Sequence, residues 1–198
     1  PARRQFLFNA LRDLDVRLKK QSGRLILRRG APVRELTKLL QETQTDAVYF
    51  HRDYTPFATR RDERVRQALK SFGVRVETFD DTCLVAPEQM LKADGPPYVG
   101  YTRFRQRFEE RVIIPSRYPT NGDLNTPPQI FSLDLDDFDT LRQEKFVRGG
   151  ETQAHKLVRD FMRHDDGLIA YRSTCDFMSL DATSHLSPHL HFGTISAR

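Results

Sequence analysis

Cysteine is nearly missing from this chain of 198 residues, which holds only Cys83 and Cys175. Two thiols so far apart in sequence make neither a disulfide framework nor a metal motif. A reducing, cytoplasmic setting is the expectation that follows. No apolar run is long enough to span a bilayer, and no signal-peptide pattern opens the chain. Tryptophan is absent altogether. There is no G-x-G-x-x-G, which removes the standard dinucleotide fingerprint, and no G-x-S-x-G elbow that would make Ser184 a nucleophile. His185, His189 and His191 lie close together, but only the first two have i, i+4 spacing and no further ligand is near in sequence, so no metal is expected.

Fourteen phenylalanines and 38% apolar residues are enough for a real core. The net charge of +5 is uneven: residues 1–80 hold 18 Lys and Arg against 10 Asp and Glu, and the remainder 14 against 17. A basic half permits contact with a polyanion, although arginines dispersed over several helices also suit a solvated face. The opening Pro1-Ala2-Arg3-Arg4 leads straight into a helical pattern without an initiator methionine, as in a chain cut from something longer.

Periodicity orders the first half. Between Phe6 and Lys20, Leu7, Leu11, Leu14 and Leu18 step by four, three and four, one face of a helix that Gly23 ends. Arg24 to Arg28 reads as a short strand. Gly30-Ala31-Pro32 starts a helix with Val33, Leu36, Leu39 and Leu40 inward, and Asp46 to His51 is a second strand. Pro56 opens a helix with Val65, Ala68, Leu69 and Phe72 on one stripe, closed by Gly73, and Val74 to Phe79 is a third strand. Such alternation predicts an α/β fold with a doubly wound parallel sheet. Its ligand would lie beyond the strand ends Arg28-Arg29-Gly30, His51 to Tyr54 and Phe79-Asp80-Asp81. Residues 92–145, rich in proline and in acids around Asp134 to Asp139, read as a long surface connection. From Gly149 a helix returns, with Ala154, Leu157, Val158 and Phe161 on one face, ending near Gly167.

The last thirty residues hold the densest signal. Tyr171 is followed, twelve positions on, by Thr183-Ser184-His185-Leu186-Ser187-Pro188. Ser187 is placed to cap a helix whose first residue is Pro188. The free N–H groups of such a start, beside the hydroxyls of Thr183, Ser184 and Ser187, suit a phosphate or pyrophosphate. An ordinary capped helix has the same caps; the order of the surrounding residues separates the two readings.

That order runs Gly149-Gly150-Glu151, Ala154, Leu157, Phe161, Tyr171, Thr183-Ser184, Leu186-Ser187-Pro188, Leu190, Phe192-Gly193, Ile195-Ser196. It resembles the opening of the flavin-binding domain of the DNA photolyase/cryptochrome family. His51 to Asp62, Phe79-Asp80-Asp81 and the aromatic-rich turn Pro96 to Phe104 resemble other stretches of the same family, with Arg103 where the family has proline. The resemblance covers nearly the whole chain. It implies a Rossmann-like pigment domain over 1–91 that lacks its first strand, a linker over 92–145, and over 146–198 the first helices of an all-α FAD-binding domain.

What the resemblance implies for function is specific. FAD would be held by Tyr171, Thr183, Ser184, His185, Leu186 and Ser187, and a deazaflavin or methenyltetrahydrofolate would serve as antenna pigment. The partner would be UV-damaged DNA, with no membrane and no metal, and the protein a monomer. The implied activity is that of a deoxyribodipyrimidine photolyase, in which light-excited reduced flavin donates an electron to a pyrimidine dimer flipped from the duplex. Catalytic residues, and the family's electron-carrying tryptophans, are expected further along than this chain reaches, so alone it should bind FAD poorly. Two departures stand out. Cys175-Asp176 occupies the place of an arginine followed by Asp or Asn, an arginine that faces DNA phosphates in the family and positions rather than reads. Thr55 stands where deazaflavin-type members often have an acid. The first departure leans toward a cryptochrome-like photoreceptor; a non-catalytic pigment- or nucleotide-binding remnant is the other alternative.

Overall fold

The computed structural model describes residues 2–113, 124–138, 147–163 and 165–198. In chain order these form α1 (Ala2–Lys19), α2 (Pro32–Thr43), β1 (Ala47–His51), α3 (Pro56–Ser71), β2 (Arg75–Phe79), α4 (Tyr101–Arg111), α5 (Glu151–Arg163), α6 (Tyr171–Thr174) and α7 (Ser187–His191). The chain falls into two compact units, Pro1–Arg29 with Gly122–Ile195, and Gly30–Asn121 with Ser196–Arg198. The linker boundary expected at 145 and 146 lies outside the described residues.

The Gly30–Asn121 unit is α/β. β1 and β2 pair in parallel, with Ala47 opposite Arg75 and His51 opposite Phe79, and α3 is the crossover between them. Alternation along the strands turns Val48, Phe50, Val74 and Val76 toward Leu40, Val65 and Leu69, the buried centre, where Val33 and Leu36 of α2 also pack. Each such side chain contributes about 1.5–3 kcal/mol when fully buried. Thr55 caps α3 by accepting from the Ala58 N–H (3.3 Å), and Pro56 needs no partner for an N–H that it lacks. Gly73 follows α3 at φ +73°, and the Val74 N–H returns to Leu69 O (3.2 Å), so the helix ends where the sequence predicts. Phe72 departs from its expected stripe: it lies beyond the last helical residue and half its surface is exposed.

The unit made of Pro1–Arg29 and Gly122–Ile195 is helical, with irregular connections. α1 does not bury the predicted leucine face; Leu7 and Leu14 stay exposed, and Phe6 is the buried residue. The reason is its neighbour α5, which meets α1 along the side of Phe6 and Asp13. Arg24 to Arg28 is extended but forms no strand. Its polar groups are taken by other partners: Leu25 N–H by Asp15 (2.9 Å), Leu27 N–H by Ser132 Oγ (2.9 Å), and Leu27 O by the Leu133 N–H (3.0 Å). The Arg24 guanidinium donates to the carbonyls of Pro127, Pro128 and Ile130 at 3.3, 3.1 and 2.5 Å, clamping part of the predicted connection alongside.

A second difference lies in the other unit, where the turn expected over Pro96 to Phe104 becomes helical from Tyr101. α4 buries no residue; pairs of the i, i+4 and i, i+3 kind support it, Arg105 with Glu109 (2.7 Å) and Arg107 with Glu110 (3.2 Å).

Candidate functional site

The Gly149-Gly150-Glu151 opening acts first as a docking device. A Cβ on Gly149 would lie 2.2 Å from the Phe6 carbonyl oxygen, and Gly150 takes φ +121° against Asp13. Only glycine admits that approach. With α1 so near, Asp13 caps α5 from outside, accepting from the Thr152 N–H (3.0 Å) and Thr152 Oγ1 (2.7 Å), while Arg17 pairs with Glu151. Partial burial opposes the charge on Asp13, but the Thr152 and Glu151 hydrogen bonds and Arg17 outweigh it, so its carboxyl sits below the usual carboxylate range.

So held, α5 presents Leu157 and Phe161 to a cavity of about 330 Å³. α5 ends at Arg163, earlier than expected. A single wide turn over Asp165–Ile169 follows, bent at Gly167, whose Cα lies so close to Phe161 O that a Cβ there would be 2.2 Å away. Across the cavity runs the turn Asp181 to His185. Thr183, Ser184 and His185 line it, together with Asp160 and Asp181. Thr183 and His185 are exposed and Ser184 is half-buried. Among the described residues no side chain or backbone group bonds the Thr183 or Ser184 hydroxyls. His185, at φ +51°, pairs with Asp181.

The structure sorts the predicted site residues. Thr183, Ser184 and His185 face the cavity directly. Tyr171, the first residue of α6, reaches it at second hand, its ring edge-on to Phe161 with centroids 5.9 Å apart. Leu186 and Ser187 lie beyond the lining. Ser187 is not the cap that the sequence predicts: α7 includes it, and Leu186 before it has helical angles (φ −82°, ψ −11°) with no side-chain cap. Capping needs an extended backbone to aim the hydroxyl at an N–H, so Ser187 Oγ stays exposed. His189 of α7 is fully buried, bonded through Nδ1 to Thr194 Oγ1 (2.7 Å), with its ring edge-on to Phe6 at 4.9 Å. Burial lowers its pKa. Cys175 is half-buried, and its N–H closes α6 onto Tyr171 O (2.9 Å).

In the Gly30–Asn121 unit, the strand ends are differently furnished. Arg52 forks onto Asp80 (Nε to Oδ1 2.5 Å, Nη2 to Oδ2 2.8 Å), reaches Glu88 (3.3 Å) and lies over the Tyr54 ring (5.3 Å), while Tyr54 donates to Asp80 (2.7 Å). The Arg52 hydrogen bonds hold the Asp80 carboxyl below its usual value, and Arg52 itself is pushed up by Asp80. Burial, then Asp80, raises the Tyr54 phenol to about 12. Beside this network, Ser196 donates to Asp81 (2.7 Å) and Arg198 to the carbonyls of Cys83 (3.0 Å) and Leu84 (3.3 Å). Sequence reasoning passed over one feature of this edge. Phe57, Arg60, Arg61 and Arg64 fall at i, i+3, i+4 and i+7, a helical stripe, and they line a groove of about 350 Å³ with Ala31, Pro32 and Val33.

The two units are an α/β unit with a parallel strand pair and a helical unit whose Thr183–His185 turn lines a cavity. The chain's family can be stated. The sequence profile of the DNA photolyase family matches residues 1–122, and the chain belongs to that family. It is 32% identical over 209 residues to a deoxyribodipyrimidine photo-lyase of Synechococcus, covering all of this chain and 43% of that protein. It is 26% identical to cryptochrome-1 of Arabidopsis thaliana, covering 98% of this chain and 30% of that one. The bacterial class III photolyase structure from Agrobacterium tumefaciens superposes with a TM-score of 0.84 at 30% identity, over 98% of this chain and 42% of that one. The chain thus spans less than half the length of the relatives it matches.

Proposed function

We propose that this chain is the pigment-domain and early flavin-domain part of a light-driven deoxyribodipyrimidine photolyase acting on UV-damaged DNA, monomeric and cytoplasmic. Its domains are those read from the sequence: 1–91 for the antenna pigment, 92–145 as connection, 146–198 as the start of the FAD-binding domain. One observation supports the reading above others: Thr183 and Ser184, whose hydroxyls have no bonding partner among the described residues, line a cavity together with Leu157 and Phe161. An apolar wall with a hydroxyl rim fits a flavin dinucleotide in chemistry, and its volume admits only part of one.

In this reading Thr183 and Ser184 donate to the diphosphate, each charge-assisted bond giving roughly 1.5–3 kcal/mol. Two carboxylates share this lining, Asp160 and Asp181, the second of them paired with His185. His185, engaged by Asp181, shapes the turn; Leu186 and Ser187 hold its exit, and Tyr171 steadies Phe161 edge-on. FAD, when bound and reduced, supplies the photochemistry that splits the dimer. A deazaflavin or methenyltetrahydrofolate at the strand ends of the α/β unit gathers light for it.

A cryptochrome-like photoreceptor is the second reading, and Cys175 favours it: where the family places a DNA-facing arginine, this chain has a half-buried thiol. One experiment separates the two. A chimera joins this chain to the helical remainder of the Agrobacterium photolyase and is illuminated with a thymine-dimer oligonucleotide. Dimer splitting supports the photolyase reading. Bound, photoreducible FAD without splitting supports the photoreceptor, and a soluble chimera without FAD contradicts both.

A further inference from the structure

Both sides of the Thr183–Ser184 cavity rest on α1, a helix that among the described residues lines none of it. One side is α5, which contributes Leu157, Asp160 and Phe161. Its start is fixed to α1: Gly149 lies against the Phe6 carbonyl and ring, and Gly150 against Asp13. Thr152 is bonded to Asp13 at 3.0 and 2.7 Å, and Glu151 is paired with Arg17. The other side is the Thr183–His185 turn, which runs directly into α7. Here too α1 is the support. The Phe6 ring meets His189 and Phe192, with centroids 4.9 Å apart in each case. Phe6 is 4% exposed and His189 wholly buried, so close packing leaves these rings no room to shift. A single side chain thus touches the entry to α5 and the helix that follows the turn.

From this arrangement we infer that Phe6 and Asp13 are positioning residues for the flavin dinucleotide. They set the distance between Leu157 and Phe161 on one side and the Thr183 and Ser184 hydroxyls on the other. The inference rests on the FAD reading and deepens it. A flavin ring needs only the apolar side and a diphosphate only the hydroxyls, whereas the whole dinucleotide needs both at one spacing. Binding groups work together when held to within about 0.5 Å of that spacing. Thr152 and Phe161 belong to one helix and lie roughly 13 Å apart along its axis, so a shift at the docked end is carried to the cavity. α1 falls in the 1–91 stretch assigned to the antenna pigment, yet it serves the flavin site.

Amide shifts of the ¹⁵N-labelled chain with millimolar FAD test this, read as a ratio: the Thr183 and Ser184 responses over those of Leu157 and Phe161. The ratio is independent of the fraction of chain occupied, so a substitution that only lowers stability or affinity leaves it unchanged. In the parent both groups should move. Phe6→Leu empties part of the space between Gly149 and His189, and Asp13→Ala frees the start of α5. Each should lower the ratio about twofold or more, because hydrogen bonds weaken steeply once displaced. Leu14→Ala, on the exposed side of α1, should keep the parent ratio. Asp13 is outside the core, so its variant decides the matter if Phe6→Leu does not fold. An unchanged ratio in Asp13→Ala, loss of both responses together, or an equal fall in Leu14→Ala overturns the positioning role and leaves the FAD reading standing. A parent in which either group stays still overturns both.

Discussion

The polar groups at the strand ends and those at the Thr183–His185 turn are spent in opposite ways. Around Arg52 every group has a partner: two bonds to Asp80, one to Glu88, a ring face on Tyr54. At the turn the hydroxyls of Thr183 and Ser184 have none among the described residues. A saturated network fixes backbone geometry and has little left for a ligand, whereas an unspent hydroxyl on a cavity wall keeps its bonding capacity for one. Loss of the first should therefore appear as instability, and loss of the second as lost binding.

The largest expected effect is on the frame that carries the open turn. Gly149→Ala would drive a methyl into the Phe6 carbonyl and should cost about 2–3 kcal/mol by overpacking. Hydrogen exchange should show protection lost in α1 and α5 while α3 and β2 keep theirs; equal loss in both would break the distinction between the units. Next comes Asp80→Ala. It strands Arg52 and Tyr54 near the surface and should cost about 1–2 kcal/mol in urea unfolding, with protection falling first around β1 and β2.

The two regions should also separate by pH. His189 is buried and its pKa lowered, so the unfolded chain, with a histidine near 6.5, takes up a proton that the folded one refuses. Stability of the helical unit should then fall as pH drops below about 6.5, and His189→Phe should flatten the slope. The Asp80 carboxyl has a lowered pKa, caused first by Arg52, so its contribution is full above about pH 4 and disappears as pH falls through its lower folded value. Urea titrations at pH 7, 5 and 3.5 test the order. The smallest stability effect belongs to Thr183→Ala with Ser184→Ala, expected within about 0.5 kcal/mol of the parent.

The α/β half was legible because its punctuation is local. Pro32, Pro56 and Gly73 mark helix ends by their own backbone preferences, and the alternation in Val74-Arg75-Val76 is carried by adjacent residues. What escaped depends on partners distant in sequence. Leu25 and Leu27 have a strand's composition, yet their N–H groups are claimed by Asp15 and Ser132. Phe6 rather than the leucine stripe is buried because α5 arrives from 140 positions away, a distance set by the Gly149–Gly150 approach. α4 was hidden by a proline-rich start, although its arginine–glutamate spacing is itself a helical signal. At the site, the hydroxyls were readable as residue types. The cavity that makes them accessible, and the failure of Ser187 to cap, needed backbone angles.

Amide chemical shifts of the ¹⁵N-labelled chain, titrated with millimolar FAD and separately with riboflavin, test the account most directly, since weak binding suffices. FAD should move the resonances of Thr183, Ser184 and His185, riboflavin should leave them nearly still, and the Thr183→Ala, Ser184→Ala double variant should lose the response without losing its fold. Equal shifts with the two ligands, or no shift anywhere along that turn, would contradict it.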